Sequence, residues 1–234
     1  IVTGDAYVDH PSFGTAIVSR VLEAAGFRVC IISQPRSDED YKRFGAPRLA
    51  FFVNSGNIDS MVAHYTAAKR KRSDDAYTPG GKAGMRPDYC TITYSNILRQ
   101  LYPDSLIVIG GIEASMRRLT HYDYWSDSLK PSILVDSQAD VLVYGMGEKQ
   151  IIEIADAVDR VAVDRCAVDR CAVDRPAGLK IAALEEIPQI AYMGSGVQEF
   201  RSSGVLLLQS HEEAVKSKRV HAENFRVIET ESNK

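Results

Sequence analysis

The stretch ADVLVYGMGEKQIIEIADAV, residues 139–158, changes character twice along its length. Residues 141–144 form an apolar run of strand length. Gly145 and Gly147 then punctuate a turn, and a helical pattern follows from Glu148. The same succession recurs upstream. LIVIGG, 106–111, is an apolar run that ends in two glycines, and RLAFFVN, 48–54, and RVCIIS, 28–33, are further strand-length runs. Residues 1–3 read as a short β-branched strand. Between them, Ala16, Ile17, Val18, Val21, Leu22 and Ala25 recur at helical spacing, and Gly26 stands where a C-cap belongs. Pro11 suits a helix start. Further helices are expected over 58–71 and over SNILRQLYPDS, 95–105, ending near Pro103. Apolar strands separated by helices are buried on both faces, so the sheet is parallel and covered twice. The predicted fold is α/β, a doubly wound, mostly parallel, Rossmann-like sheet over 1–160 with a C-terminal α/β extension.

Composition sets outer limits. The chain has 234 residues, 45% hydrophobic and 25% charged, which is ordinary for a globular protein and long enough to bury a sizeable core. Net charge is −3 and no basic excess points to nucleic acid. The cluster Lys69–Arg72 is short and followed at once by Asp74 and Asp75, which reads as a solvated helix end. No apolar run reaches the ~18 residues of a membrane span. The opening IVTGDAYVDHPSFG lacks the pattern of a signal peptide and an initiator Met, which reads as a fragment. Four irregularly spaced cysteines and no secretory signal point to the reducing cytoplasm.

A doubly wound sheet binds ligands beyond the carboxyl ends of its strands. Polar residues of this chain concentrate at such ends. They are Asp5, Tyr7, Asp9, His10, Ser12 and Gly14 after the first strand, and Asn54, Ser55, Asn57 and Asp59 after RLAFFV. Gly110, Gly111, Glu113, Ser115, Arg117 and Arg118 follow LIVI, and Gly145, Gly147 and Glu148 follow VLVY. Each turn alone reads as an ordinary helix cap; four on one predicted edge read as a crevice. The densest chemistry is GGIEASMRRLTHYDYWSD, 110–127, with His121, Asp123 and the single Trp beside the two arginines. Arginine clamps carboxylates or phosphates, His moves protons and aromatics stack on flat ligands. The same residues could equally pair among themselves, Arg118 with Asp123 for example.

Two nucleotide motifs fail. GMGEKQ carries Gln150 where the third glycine of G-x-G-x-x-G belongs, and GGK at 80–82 has Ala76 and Ala83 where a P-loop needs Gly and Ser/Thr.

IVTGDAYVDHPSFG, NSGNIDSM, YTPGGKAGMRPD, GGIEASMRRLTHYDYWSD and VDSQADVLVYGMGE, taken in order, resemble the amino-terminal region of the YgiQ family of radical SAM proteins. The resemblance spans most of 1–156 and resumes more loosely over IPQIAYMGSG and VLLLQSHEEAVKSK. More distantly, the glycines after two strands are similar to those of the cobalamin-binding-type Rossmann domains that precede many radical SAM cores. The resemblance implies a C-terminal barrel in cis, whose CxxxCxxC thiolates hold a [4Fe–4S] cluster that binds S-adenosylmethionine. It assigns no reaction or substrate, small-molecule or macromolecular. This chain departs from that pattern: Cys30, Cys90, Cys166 and Cys171 do not give CxxxCxxC. Cys30, on an apolar strand, reads as a small buried hydrophobe. No cofactor is expected in this chain, which alone should be catalytically inactive. The cobalamin-ligand motif DxHxxG is absent too. Val8 stands two residues before His10, and Gly14 lies four after it. Base-off cobalamin without a protein ligand stays open.

Residues 157–176 read AVDRV AVDRC AVDRC AVDRP, a five-residue unit repeated four times. A period of five builds no helical face and alternates faces on a strand. On a helix Cys166 and Cys171 would point about 140° apart, too far to share a metal. Continued helix until Pro176 and Gly178 is compatible with the composition. The expected organisation is a Rossmann-like accessory domain over 1–156, a pentapeptide-repeat connector over 157–178 and an extension over 179–234 leading toward the barrel. In that extension IAALEEIPQIAYMG reads as a helix and strand, and GVLLLQSHEEAVKSKRVHAENF as a strand turning into an amphipathic helix, with an apolar patch exposed for the barrel. Three functions fit: an accessory substrate- or cofactor-pocket domain, a non-catalytic docking module, or a freestanding ligand binder or enzyme using Asp9, His10, Glu113 and His121 as acid–base groups.

Overall fold

The computed structural model of the chain describes residues 1–168, 184, 186–194 and 205–232, with side chains of 162–168 excluded. The described residues fall into two compact units. The first holds Ile1–Arg118 and residues from Ile133 to Met193. Its elements are β1 (Val2–Thr3), α1 (Gly14–Ala24), β2 (Ile32–Ser33), α2 (Asp38–Lys42), β3 (Ala50–Asn54), α3 (Ser60–His64), a 3-10 turn at Pro79–Gly81, α4 (Cys90–Leu101), β4 (Leu106–Ile109) and α5 (Gly111–Met116). The second unit interrupts them with β5 (His121–Asp123) and β6 (Ser128–Lys130). Then come α6 (Ile133–Ser137), β7 (Val141–Val143), α7 (Glu148–Val168) and β8 (Ile190–Tyr192).

The sheet order is β2-β1-β3-β4-β7-β8, parallel throughout except for β8, which runs antiparallel to β7. The chain starts inside the sheet, moves out to β2, then returns across β1 to β3. The doubly wound, mostly parallel α/β architecture expected from the sequence is thus present, with its switch point between β1 and β3.

The strand pleat sorts the core into two layers. Phe51, Val53, Ile107, Ile109 and Leu142 face Tyr94 and Leu98 of α4 and Ile133 and Leu134 of α6. Phe52, Leu106, Val108, Val141 and Val143 point the other way, toward Leu22 of α1 and Ile151, Ile154 and Val158 of α7. Both layers are apolar, which is why these strands read as continuous apolar runs.

Gly26 caps α1 as expected. It has φ +91°, its N–H donates to the Glu23 carbonyl at 2.9 Å, and the Phe27 N–H donates to Leu22 at 3.0 Å. That paired closure is a Schellman motif, which needs a left-handed residue at this place.

Several local expectations change. The strand expected over 28–33 contracts to Ile32–Ser33 and lies at the sheet edge; Cys30, expected to be buried, is exposed. The helix expected over 58–71 stops at His64, because His64 Nδ1 and Tyr65 Oη bond Asp88 at 2.6 and 2.7 Å. The chain then doubles back, with Lys69 at φ +57° and Tyr65 bridging Lys71. The basic cluster therefore sits on a turn, where Arg72 Nε donates to the Val62 and Tyr65 carbonyls. α4 begins at Cys90, five residues earlier than the pattern suggested.

The second unit pairs the β5–β6 hairpin, in antiparallel register, with two helices, α8 (His211–Lys216) and α9 (Lys218–Ser232). Residues 205–210, expected as a strand, carry no ladder. Instead Asn224 of α9 clamps Gln209 through both backbone groups, at 2.9 and 3.0 Å. Repeat residues after Val168, including Cys171, most of 180–186, the Cys166 side chain and 195–204 lie outside the described residues. No helix among the described residues is long and apolar enough to cross a membrane.

Candidate functional site

At the carboxyl edge of β3, β4 and β7, a cavity of about 280 Å³ opens between the sheet and helices α1 and α7. Its floor is Phe52, Val108 and Val143, and its walls are Ile17, Val18 and Ile151. Eight of the residues singled out in the sequence line it: Ser12, Gly14, Asn54, Gly110, Gly111, Gly145, Gly147 and Glu148. They come from four different βα turns, which is what a doubly wound sheet brings together. The apolar wall residues carry no chemical signature, and only the strand and helix periodicities could have pointed to them.

Asn54 is the hub of this edge. Its Oδ1 accepts hydrogen bonds from Thr3 Oγ1 at 2.8 Å and the Gly56 N–H at 2.8 Å, with Thr15 Oγ1 at 3.4 Å. The two 2.8 Å donors fix the amide orientation, the Thr15 hydroxyl being shared with Thr3 Oγ1 at 3.1 Å. Among the described residues no hydrogen bond uses Nδ2. Asn57 lies alongside: its Oδ1 accepts from the Gly14 N–H at 3.2 Å, and its N–H donates to Asp5 Oδ2 at 2.6 Å. Gly56, at φ +102°, completes the turn, and a Cβ there would overlap the Asp5 carboxylate.

The remaining polar residues of the first unit are engaged beside or beneath the cavity. Asp5 pairs with Arg86 at 2.8 Å. Arg86 also forks onto both oxygens of Asp75 at 3.0 Å and donates to the Ser55 carbonyl at 2.8 Å. Burial pushes the Asp5 carboxyl above its usual value, against the bonds from Asn57 and Arg86. Arg86 is a residue the sequence reading missed. Its signal was present as an arginine inside the Pro/Gly loop 74–88, eleven residues after Asp75.

Glu113 is fully buried and accepts the Ser60 and Thr91 N–H groups, each at 2.8 Å, one on either carboxylate oxygen. It thereby satisfies amides at the starts of α3 and α4. Arg117 pairs with Asp59, which also caps α3 through Met61 and Val62. Arg118 donates to the Ser115 carbonyl at 2.8 Å and lies over the Tyr144 ring. Ser115 Oγ accepts from the Gly145 N–H at 3.2 Å.

Asp9 pairs with Arg20 at the surface, His10 Nδ1 accepts from the Ser12 N–H at 3.1 Å, and Tyr7 is exposed. His121 and Asp123 belong to the second unit. There His121 Nδ1 donates to the Leu119 carbonyl at 3.1 Å, and Asp123 accepts from Ser126 N–H and Oγ at 2.9 and 2.6 Å. Asp9 and His10 lie on an exposed loop while Glu113 is enclosed among amides, so these three do not converge as an acid–base set.

Among the described residues no three His, Cys, Asp or Glu side chains group as metal ligands. Cys90 is buried against Gly4 and burial pushes its thiol well up, while Cys30 is exposed two residues before the edge strand β2. A [4Fe–4S] cluster needs clustered thiolates. These two cysteines do not fit it.

A family model described as Radical SAM N-terminal matches residues 1–234. A UPF0313 protein of Bacteroides thetaiotaomicron is 49% identical over 241 residues, covering 100% of this chain and 37% of that protein. A UPF0313 protein of Clostridium botulinum strain Okra is 48% identical over 229 residues, covering 97% and 33%. One of Porphyromonas gingivalis is 49% identical over 238 residues, covering 100% and 35%. The chain spans about a third of the length of the curated relatives it matches. No solved structure matches it.

Proposed function

This chain belongs to the Radical SAM N-terminal family, and on that premise we propose that it is an accessory domain whose carboxyl-edge crevice holds substrate or cofactor for a catalytic portion carried in cis. One observation supports this reading above the others: four βα turns converge on a cavity at the sheet edge where doubly wound folds bind ligands. In this reading residues 1–156 supply the crevice, 157–178 connect, and 179–234 lead on to the catalytic portion. A [4Fe–4S] cluster with S-adenosylmethionine, held by that portion, supplies the radical. The residues of this chain position the ligand and keep water from it. The cysteines present do not fit the cluster, and His10, bonded to Ser12 on an exposed loop, does not supply a cobalamin ligand motif. The whole protein is assigned to the cytoplasm, with a small-molecule or macromolecular substrate.

The test uses the full-length polypeptide, reconstituted anaerobically. Fractions of a metabolite extract should raise its thermal transition, and Gly14→Leu should remove that shift without altering the cluster's absorbance. A leucine there enters open space, since a Cβ at Gly14 meets nothing within 4 Å. A shift that Gly14→Leu leaves intact sinks the pocket reading.

A second reading, a docking module, draws on the second unit. Val205, Leu206, Leu207, Val215 and Phe225 are exposed there. A run of three large exposed apolar residues suits burial against further polypeptide. Charged substitutions at Leu206 and Phe225 would then loosen the full-length protein in limited proteolysis and leave ligand shifts unchanged.

A further inference from the structure

The sequence placed two arginines and a histidine beside the crevice, which suggested an anion clamp. None of the three is among the described residues that line it. Arg117 is committed to Asp59, Arg118 to the Ser115 carbonyl and the Tyr144 ring, and His121 to the Leu119 carbonyl. Arg86 is enclosed between Asp5 and Asp75, and Arg20 pairs with Asp9 and Glu23. Lys149, beside the mouth, pairs with Glu153. Among the described residues no Lys, Arg or His side chain lines the cavity, and the one charged side chain that does is Glu148.

What remains is an apolar floor and walls, a glycine rim, and the polar side chains of Ser12, Thr15, Asn54 and Glu148. The Ser12 and Thr15 hydroxyls are small and uncharged. The Asn54 Oδ1 takes the Thr3 hydroxyl and the Gly56 N–H, so Nδ2 is the amide's unused donor. The Glu148 carboxylate is the charged side chain of the set. An anion placed here would lose its hydration, find only the partial positive charge of the α1 and α7 N-termini in place of a cationic side chain among the described residues, and meet the Glu148 carboxylate. An apolar body would bury against Phe52, Val108 and Ile151, and an acceptor oxygen on it would meet an amide already oriented.

We propose that the cavity selects uncharged, largely apolar ligands that carry one hydrogen-bond acceptor for Asn54, and rejects anions such as phosphates and carboxylates. This rests on the crevice being a ligand pocket and adds the class of ligand.

The experiment is fluorescence titration of the full chain with two probes. One is 6-propionyl-2-(dimethylamino)naphthalene, a neutral ketone. The other is 6-(dimethylamino)-2-naphthoate, which keeps the ring system and replaces the ketone by a carboxylate. The ketone should bind at one saturable site with blue-shifted emission, and the naphthoate at least ~tenfold more weakly. Gly14→Leu should abolish ketone binding. Glu148→Gln, on the first turn of α7 and outside the core, should tighten the naphthoate and narrow the difference. Naphthoate binding as tight as the ketone overturns the proposal, as does ketone binding that Gly14→Leu leaves unchanged, or no ketone binding at all. If both probes bind equally and both are lost in Gly14→Leu, the ligand class is wrong while the pocket reading stands. That reading fails separately, when Gly14→Leu leaves the extract-induced thermal shift of the full-length polypeptide in place.

Discussion

Replacing Arg86 by Met would leave two carboxylates, Asp5 and Asp75, enclosed without their shared cation. Both are almost fully buried beside it. Removing one partner of a buried ion pair costs about 3–5 kcal/mol, more than the methionine could regain by packing. Arg86→Met should therefore lower the denaturation midpoint strongly in chemical unfolding, and a change under ~1 kcal/mol would refute this role. Asp88 gives a pH signature. Burial pushes its carboxyl up, but the bonds from His64 and Tyr65 outweigh burial and hold it below the ordinary value. Because the folded value is the lower one, its contribution is complete above the unfolded carboxylate pKa of ~4 and is lost as pH falls through the folded value. The acid side of the stability profile should flatten in Asp88→Asn; an unchanged profile would count against the clamp. At this scale the sequence was legible as chemistry and illegible as partnership. Asp5, Glu113 and Arg117 were rightly seen as polar groups near the sheet edge. Their partners, Arg86, the Ser60 and Thr91 amides and Asp59, lie 22 to 81 residues away in the chain, where no local pattern reports on them.

Elements were read best where their signal is local. β3, β4 and β7 announced themselves as apolar runs because the pleat sends successive side chains into two apolar layers. The Gly26 cap was legible because a left-handed residue at that place favours glycine. Gly26→Ala should cost about 1 kcal/mol in thermal or chemical unfolding, from backbone strain alone, since a Cβ there touches nothing within 4 Å. A neutral result would mean that the Schellman closure adds little. The boundaries that failed were set from outside the element. α3 ends early because Asp88 holds His64 and Tyr65, and residues 205–210 form no strand among the described residues, where Asn224 takes both backbone groups of Gln209. The eight rim residues of the cavity were legible as turn residues after strands. The apolar floor between them was not, since a valine facing a cavity and a valine facing a helix look the same in one sequence.

For the whole molecule, the two units are interleaved along the chain, since Leu119–Ser132 leaves the first unit and Ile133 re-enters it. The linear division into accessory domain, connector and extension hid this. The sheet also draws its sixth strand from beyond the pentapeptide repeat. β8 pairs antiparallel with β7 in the register Val141↔Tyr192, and Val158 and Leu184 are anchored in the same apolar layer. From Val158 helix α7 runs on to Val168, with Val161 packed against that layer and Asp159 paired with Arg48. By polymer statistics the cost of closing a linker depends on the logarithm of its contour length, so a linker of roughly 15 residues between α7 and Leu184 that serves only to close the path would change its closure free energy by about 0.4 kcal/mol on losing one five-residue unit. Deleting one AVDRC copy should leave the unfolding midpoint within measurement error. A shift above ~1 kcal/mol would show that the repeat contributes contacts of its own. Near-neutrality of that kind is the condition under which slippage during replication goes unpurged, so the pentapeptide copy number would be free to drift while the sheet on either side is held fixed.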